Sequence, residues 1–395
     1  MTAPIKDSGD IVITAARRTA MGGFQGDFRD VTAPELGAAA LKAAVADSRL
    51  GSADVEQVVM GCVLSAGQGQ APARQAALKA GLDLGTPAVT LNKMCGSGMK
   101  AVMDAHDALK AGSADIIAAG GMESMTNAPY LLPKARGGYR MGHGRVMDHM
   151  FLDGLEDAYE PGRAMGTFAE ESARTYQLTR EAQDAYALES LSRAQGAIAS
   201  GAFAAEITPV AVKSGEVTVD EQPGKAKPDK IPHLKPAFAP DGTVTAANAS
   251  SISDGAAALV LMRRETAQAR GLTPIATILG HSVHAQKPAL FTTAPVPAMQ
   301  KLMGRLGWSI DGVDLFEVNE AFAVVSMIAM QELGIPHAKL NVNGGATALG
   351  HPIGASGARI LVTLIHALQK RGGGTGVAAL CIGGGEATAV AVKVH

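Results

Sequence analysis

The sequence has few aromatic residues, few charges and only three cysteines, and the charges and the cysteines argue against several classes of protein. Aromatic residues make up 4% and charged residues 18% of its 395 positions, and the formal net charge is −2. Nothing in this charge balance favours binding to nucleic acid or to a membrane surface. The cysteines lie far apart and form no Cys-x-x-Cys pair, which argues against a disulfide framework and against a zinc site.

Long apolar runs and targeting signals are also missing. No apolar run approaches the ~18 residues of a membrane span. The N-terminus, MTAPIKDSGD, is polar and has no apolar signal core. A cytoplasmic protein is therefore expected. The abundant residues are glycine, with 47 copies, and hydrophobic residues at 47%, which together describe a well-buried chain with many tight turns.

Two stretches of the sequence repeat one pattern at a spacing of about 260 residues. Thr32-Ala33-Pro34 and Thr293-Ala294-Pro295 are 261 residues apart, and each opens a helical stretch followed by an apolar strand. Ser97 and Ser356 are 259 residues apart, and each begins a helix that leads to an apolar strand ending in glycines. The repeat predicts a duplicated α/β unit with a mostly parallel sheet covered by helices on both faces.

Residues 124–248 have no counterpart in the second half. This segment begins irregularly, continues as one helical stretch over residues 167–200, and ends in a Lys- and Pro-rich run over residues 222–240. We interpret it as a domain inserted into the first unit, which resumes near Ser250.

Cys95 lies between an apolar strand and the helix that begins at Ser97. Free N–H groups and the positive end of the helix dipole would face its sulfur, and they would lower the thiol pKa. Cys95 is therefore a candidate nucleophile, although a small apolar residue at a tight junction is the simpler reading. Cys62 reads as a core strand residue and has no predicted chemistry.

The same turn also fits a dinucleotide-binding fingerprint. Gly96, Gly98 and Ala101 have the required spacing between a strand and a helix. The fingerprint needs an acidic residue at the end of the next strand. That strand is read as residues 115–121 and ends in glycines, so this alternative is the weaker one.

Three polar residues of the second half are candidates for chemistry. Asn319 follows a strand and could bind an oxyanion, or it could simply cap a helix. His351 precedes a proline and so lies in a loop, where it could be a general base or a surface residue. Cys381 ends a strand, and is either a core residue or a second reactive thiol with the N–H of Gly383 nearby. A pseudo-twofold axis would bring these groups to Cys95.

Four segments, NKMCGSGMKAV, NEAFA, GGATALGHPIGASGAR and CIGGG, resemble the thiolase family in their order and separation. The resemblance covers essentially the whole chain. It implies the α/β thiolase fold, in which two similar βαβαβαββ core domains form a layered αβαβα arrangement with an inserted loop domain. The expected boundaries are 1–123 with 249–272 for the N-terminal core domain, 124–248 for the loop domain and 273–395 for the C-terminal core domain.

The resemblance implies a role for each candidate. Cys95 accepts the acyl group. His351 activates Cys95 and helps to bind the thioester oxygen, and Cys381 removes or returns the α-proton of acetyl-CoA. Asn319 holds a water in one oxyanion site, and the N–H groups of Cys95 and Gly383 form the other. The reaction is a ping-pong Claisen condensation or its reverse. It requires no metal and no cofactor, since polarised hydrogen bonds stabilise the charges.

Contacts with coenzyme A are also implied by the resemblance. Ser250 is the best candidate for a hydrogen bond to the pantetheine. Lys225 or Lys227 could lie near the CoA phosphates, unless both belong to a solvated basic loop. The other positions expected to line the pantetheine channel are Met165, Ala249, Phe238 and Phe322.

Two positions depart from the family pattern, and both concern substrate choice. Ala164 stands where many acetoacetyl-CoA-type members have His, and Gly224 stands where many have an Arg on the adenine. Phe291 and the following TTAPVPA segment resemble the short-chain members. The activity expected is therefore acetyl-CoA C-acetyltransferase, acting on acetyl-CoA and acetoacetyl-CoA.

Two alternatives to this activity stay open. One is a 3-ketoacyl-CoA thiolase of fatty-acid β-oxidation with a broader chain-length range. The other is a thiolase-like protein that binds acyl-CoA without turnover. Members of the family are dimers or tetramers, so a homo-oligomer, here a homotetramer, is expected.

Overall fold

A computed structural model describes residues 9–395, and its first part alternates strands with helices as the sequence predicts. Thr32 begins the first long helix through a capping box with Glu35, the arrangement that satisfies free N–H groups at a helix start. The elements of this part are β1 (Ile11–Thr19), β2 (Gly22–Gly23), α1 (Ala33–Asp47), β3 (Gln57–Gly61), α2 (Pro72–Lys79), β4 (Ala88–Leu91), α3 (Ser97–Ala111) and β5 (Ile116–Ser124).

The inserted segment is mostly helices and short hairpins. The single helical stretch expected over residues 167–200 is wrong, because the structure has two helices there. Gln177 adopts a left-handed backbone, with φ 54°, and the Thr179 side chain accepts the N–H of Ala182 to begin a new helix. Its elements are β6 (Tyr130–Leu131), β7 (Met147–Asp148), a π-helical turn (Phe151–Leu155), α4 (Met165–Thr175), α5 (Arg180–Ala199), β8 (Ile207–Thr208), β9 (Val210–Val212), β10 (Gly215–Val217), α6 (Glu221–Lys225) and a 3-10 helix (Pro228–His233).

The second half repeats the order of the first. One strand is reduced, since the counterpart of β4 is only an isolated bridge between Leu340 and Phe316. The remaining elements are β11 (Ser253–Arg263), α7 (Arg264–Ala269), β12 (Ala276–Ala285), a 3-10 helix (Pro288–Thr293), α8 (Pro295–Leu306), β13 (Leu315–Val318), α9 (Ala323–Leu333), a 3-10 turn (His337–Lys339), α10 (Ala346–Leu349), α11 (Ile353–Lys370), β14 (Gly374–Ile382) and β15 (Glu386–Val394).

The strands of the two halves follow the same order, β4-β3-β5-β11-β1 in the first and β13-β14-β15-β12 in the second. The halves join where β1 pairs antiparallel with β12, from Ile11 opposite Ile278 to Ile13 opposite Ala276. The parallel pairs are β3–β4, β3–β5 and β13–β14 in the outer parts of the sheet and β1 with the short β8, and the other pairs of this sheet are antiparallel. The expected mostly parallel sheet is therefore wrong. β14 and β15 are consecutive antiparallel strands, and β11 pairs antiparallel with β5 after the insertion.

Helices α3 and α11 form the central layer, and they pack on each other and on strands of both halves. Helices α1 and α2 cover the outer face of the first sheet, and α8 and α9 cover that of the second. The result is the five-layer αβαβα arrangement, so the predicted fold class is confirmed.

The two central helices touch at their N-termini through glycine backbone. A Cβ added at Gly98 would lie 2.9 Å from the nitrogen of Ala358, and one added at Gly357 would lie 2.4 Å from the nitrogen of Met99. No side chain larger than hydrogen fits at either position. The contact therefore places the turn before α3 directly beside the loop before α11.

We expect Gly357→Ala to lower the free energy of unfolding by about 1–3 kcal/mol, because the added methyl group overpacks this contact. Gly196→Ala is the matched control, since nothing lies within 4 Å of a Cβ added there in the interior of α5. Alanine is the better helix former by ~1 kcal/mol, so this variant should keep or gain stability. Chemical denaturation of both proteins makes the comparison, and equal stability would contradict the close contact.

Candidate active site

Cys95 lies in a strained turn between β4 and α3. Met94, just before it, has φ 47°, a left-handed backbone that long side chains rarely adopt. Ser97 holds this turn, since its Oγ accepts the N–H of Lys93 at 2.8 Å and donates to the carbonyl of Met94 at 2.6 Å. The turn keeps the Cys95 side chain half-buried, so it is not enclosed in the hydrophobic core.

Two backbone N–H groups, those of Cys95 itself and of Gly383, donate to the Cys95 sulfur. Burial nevertheless raises the pKa of Cys95 to about 11, and the two hydrogen bonds act in the opposite direction. The resting side chain is therefore a neutral thiol, which needs a base before it can act as a nucleophile.

Cys381 is the second thiol of the site and lies at the end of β14, where it is buried. Burial raises the pKa of Cys381 well above its usual range, and repulsion from Cys95 raises it further. That repulsion requires the two sulfurs to be neighbours. Ile382 keeps the two loops in contact, because its side chain packs directly on the backbone of Gly96.

His351 is buried in the loop that precedes α11. Its Nδ1 lies 2.6 Å from the hydroxyl of Ser356, which donates to the carbonyl of Pro352 at 2.9 Å. A hydroxyl has a single hydrogen, so Ser356 can only accept from Nδ1–H, and Nε2 carries the lone pair. Burial lowers the pKa of His351 to about 3, and the charge of Arg359 acts in the same direction.

This neutral imidazole has an unused acceptor. Nε2 of His351 is buried and has no hydrogen-bond partner within residues 9–395. Ile353, two residues further on, packs in the same apolar cluster as Cys95. The His351 loop and the Cys95 turn are therefore neighbours, and the imidazole is suited to take a proton from a group that enters the site.

Asn319 lies beside His351, with its Nδ2 3.5 Å from Nδ1 of the imidazole; because both nitrogens carry hydrogen, this is a contact and not a hydrogen bond. Its Oδ1 is buried and has no partner in the described part of the chain. Asn319 is not the cap of α9, which has Phe322 as its N-cap residue. A buried amide with an unused acceptor suits a bound water or a substrate group.

Glu320, which directly follows Asn319, is a buried acid that the sequence analysis missed. Its carboxylate accepts from the hydroxyls of Tyr186 and Ser190 at 2.9 and 2.8 Å, from Nδ2 of Asn341 at 2.9 Å, and from the N–H and hydroxyl of Thr347 at 3.1 and 2.6 Å. It therefore ties α5 of the insertion to the loop of Asn341 and to α10, which contains Thr347. The available signal was an acid inside the apolar segment FEVNEAFA.

Glu123 was missed for a different reason. The strand read as ending at Gly121 continues to Ser124, and Glu123 lies buried in it. It accepts the N–H groups of Val63, Leu64 and Gly354 at 3.0, 3.1 and 2.9 Å. Burial raises the pKa of Glu123 to about 7 against these hydrogen bonds. A carboxylate so fully engaged cannot bind a ribose, which removes the dinucleotide alternative.

Several residues that were expected to contact CoA lie together where the insertion meets the second half. A Cβ at Gly383 would lie 3.6 Å from the methyl group of Met165. Ala249 forms a β-bridge with Phe322, and the N–H of Ser250 donates to the carbonyl of Ala321 at 3.0 Å. The chain that leaves the insertion therefore runs antiparallel to the NEAFA segment.

Four phenylalanine rings lie next to these residues and contact one another. The ring of Phe238 packs on the backbone of Gly166 and lies 6.0 Å from the ring of Phe322. Phe291 is buried between Phe322 and Phe168, with ring centroids 6.4 Å from each. A cavity of about 590 Å³ opens next to Phe238, and its other lining residues are Glu160, Pro161, Gly162, Arg163, Ala164, Thr167 and Ala237.

Lys225 lies outside this group. Its ammonium group forms an ion pair with Glu221 and lines a different cavity, which it shares with Asp27 and Lys213. Lys227 is exposed. The contacts of Lys225 are those of a surface residue on α6, so they do not favour a contact with the CoA phosphates.

Comparisons with known proteins agree with this geometry. The model of the thiolase N-terminal domain matches residues 11–265, and that of the thiolase C-terminal domain matches residues 272–394. The chain belongs to the thiolase family. The two matched domains of this thiolase correspond to the two halves that repeat one strand order. No helix in the described residues is suited to crossing a membrane.

Curated relatives match this thiolase over nearly its full length. An acetyl-CoA acetyltransferase of Escherichia coli is 50% identical over 388 residues, covering 97% of this chain and 98% of the relative. One from Pseudomonas aeruginosa is 49% identical over 387 residues, covering 96% and 98%. Among solved structures, an Ascaris suum thiolase in complex with coenzyme A superposes with a TM-score of 0.94 at 42% identity, covering 98% of this chain and 100% of that one.

We expect alkylation of Cys95 by iodoacetamide to rise about tenfold per pH unit between pH 7 and 9. The thiol has a pKa raised to about 11 by burial, and the neutral His351 cannot form an ion pair with it. Peptide mass spectrometry measures the rate at Cys95, with the buried Cys62 as an internal control for unfolding. A rate that levels off below pH 8 would contradict the neutral resting thiol.

Proposed function

We propose that this thiolase is an acetyl-CoA C-acetyltransferase, which condenses two acetyl-CoA into acetoacetyl-CoA and CoA and also runs the reverse thiolysis. The observation that carries the proposal is the meeting of two thiols and a neutral imidazole at the junction of the two halves. Full-length relatives named acetyl-CoA acetyltransferase support the choice of substrate.

The first half-reaction transfers the acetyl group to Cys95. Nε2 of His351 takes the thiol proton, and the sulfur attacks the thioester carbon of acetyl-CoA. The N–H groups of Cys95 and Gly383, which already point at the sulfur, bind the oxyanion. The proton on His351 then passes to the leaving CoA sulfur, so that free CoA departs and acetyl-Cys95 remains.

The second half-reaction forms the carbon–carbon bond. Cys381 gives its own proton to Nε2 of His351, and the resulting thiolate removes the α-proton of a second acetyl-CoA. The protonated His351 and a water on Asn319 donate to the enolate oxygen. The enolate attacks acetyl-Cys95, whose sulfur leaves as a thiolate and takes the proton from His351, so that both cysteines end as thiols. Acetyl-Cys95 cannot ionise, so the repulsion from Cys95 that would raise the pKa of Cys381 does not arise in this half-reaction.

The proposal assigns all charge stabilisation to hydrogen bonds, with CoA thioesters as substrates and no cofactor. Met165, Ala249, Ser250 and Phe238 line the pantetheine channel in this account. Their grouping beside Gly383 supports that assignment. Ser250 is half-buried, which leaves its hydroxyl accessible to an amide of the pantetheine.

A broader 3-ketoacyl-CoA thiolase is the second candidate, and one observation favours it. Ala164 lines the cavity beside Phe238, and its small side chain leaves room that a His would fill. Against this, Phe291 is packed between two other phenylalanines. A wall of three rings limits the length of an acyl chain that extends toward it.

The domain division 1–123 with 249–272, 124–248 and 273–395 belongs to the same proposal, as does a homotetramer in the cytoplasm. Two surfaces support the oligomer. β4 is an edge strand of the sheet and carries Val89, which is 47% exposed. The second surface is the start of the insertion, where large apolar side chains are exposed, namely Tyr130, Leu132, Tyr139, Met141 and Val146.

We expect thiolysis to be fastest with acetoacetyl-CoA and to fall sharply with longer 3-ketoacyl-CoA. Phe291→Leu should raise the ratio of kcat/KM for six carbons to that for four by about 10-fold, the effect of roughly one methylene group. Phe203→Leu is the control, because Phe203 is equally buried but belongs to a different apolar cluster. Steady-state kinetics with free CoA gives both ratios. Rates that hold or rise with chain length would favour the broader thiolase.

Cys95→Ser should lower kcat by about 10³-fold or more, because the nucleophile of a covalent mechanism is lost. Cys62→Ser is the control, since within residues 9–395 the Cys62 side chain hydrogen-bonds only to Glu123 and Gln68, and this variant should keep kcat within a few-fold. Full activity of Cys95→Ser would exclude the covalent mechanism. If the unmodified protein shows no thiolysis at any chain length, a binding protein without turnover would be favoured.

A further inference from the structure

Away from the active site, two histidines converge on one carboxylate oxygen. Nδ1 of His106 lies 2.9 Å from Oδ1 of Asp107, and Nε2 of His281 lies 2.8 Å from the same oxygen. All three donor atoms lie within 4.8 Å of one another, and no other set of His, Cys, Asp and Glu in residues 9–395 meets this condition. Nothing in the thiolase reaction uses these residues.

We propose that His106, Asp107 and His281 form a binding site for a divalent transition-metal ion such as Zn²⁺. Ligands ~2.0–2.1 Å from zinc lie about 2.9 Å apart at the edge of an octahedron and about 3.3 Å apart in a tetrahedron. The two nitrogen–oxygen separations of 2.9 and 2.8 Å match the octahedral edge, and an ion would replace the two hydrogen bonds that now join these atoms. Two imidazoles favour zinc, cobalt or nickel over magnesium or calcium.

The two histidines belong to separate and well-fixed elements. His106 is on α3, in the central layer, and His281 is on β12, which pairs with β15 along its length. Their rings meet edge to face, with centroids 5.1 Å apart and an interplanar angle of 89°. One nitrogen of each ring lies next to Oδ1 of Asp107, so the three ligand atoms are already grouped before an ion binds.

The exposure of the three side chains suits an incoming ion. The histidine side chains are 12% and 19% exposed, whereas Asp107 is 59% exposed, so solvent reaches the site from the carboxylate side. Metal ligation requires each imidazole to be neutral. Each ring needs only to move its hydrogen to the nitrogen that faces away.

The ion would join the two halves of the molecule. α3 belongs to the first half and β12 to the second. His106 follows Ser97, at the start of α3, by nine residues, about 13 Å along the helix. The site therefore stabilises the junction without contacting the substrates, and its occupancy should raise the melting temperature while leaving catalysis unchanged.

The test is a Co²⁺ titration of protein cleared of metal with a chelator, followed by absorption spectroscopy, with Zn²⁺ calorimetry in parallel. We expect one equivalent of each ion and a higher Tm. His281→Ala should weaken binding by about 100-fold or more, since even an outer-shell partner contributes 10–100-fold. His284→Ala on the same strand is the matched control, because within the described residues the His284 side chain hydrogen-bonds only to Gln286, and it should bind like the unmodified protein.

Three outcomes would overturn the proposal. They are no saturable binding near one equivalent, unchanged binding in His281→Ala, and an intense near-ultraviolet cobalt–thiolate band, which would place the ion on a cysteine. Asp107→Asn provides a second variant at an exposed position, where folding is not at risk, and it should also lose binding. Thiolysis activity of each variant verifies that the fold is intact.

Discussion

The N-termini of α3 and α11 meet backbone to backbone, and the position of the active site depends on this contact. Gly98 and Gly357 leave no side chain between the helices, so the turn with Cys95 and the loop with His351 start from the same point. A larger residue at either glycine would separate the helices and, with them, the nucleophile from its base. The pairing of β1 with β12 fixes the same junction from the sheet.

Two buried carboxylates then hold the loops that the helices position. Glu123 accepts three backbone N–H groups from the first half and from the start of α11. Glu320 accepts hydrogen bonds from α5, from the loop of Asn341 and from α10. The hydrogen bonds that both carboxylates accept offset the loss of solvation that burial imposes on them. The same burial keeps Cys95 and His351 neutral at rest, so charge develops in this site only when a substrate is bound.

The sequence predicted what depends on local pattern. The duplication and the proximity of Cys95, Cys381, Gly383, His351 and Asn319 follow from motifs that place each residue at the end of a strand or the start of a helix, and the five layers follow from the resemblance to thiolases. Features set by distant contacts were missed or wrong. The direction of the central strands depends on which neighbours pair, and the extension of β5 to Glu123 depends on partners far along the chain. The break at Gln177 depends on a left-handed residue that no glycine marks. The contact of Lys225 with CoA stays a prediction, which the ion pair of Lys225 with Glu221 on α6 does not favour.

The central claim is that Cys95 carries the acetyl group between two separate half-reactions. Rapid quenching of the protein mixed with acetyl-CoA and no added free CoA, followed by peptide mass spectrometry, tests this claim directly. The account requires one acetyl group per chain on the peptide that contains Cys95, and its disappearance when free CoA is added. An acetyl group on another residue, or turnover with no acetylated peptide at any quench time, would contradict it.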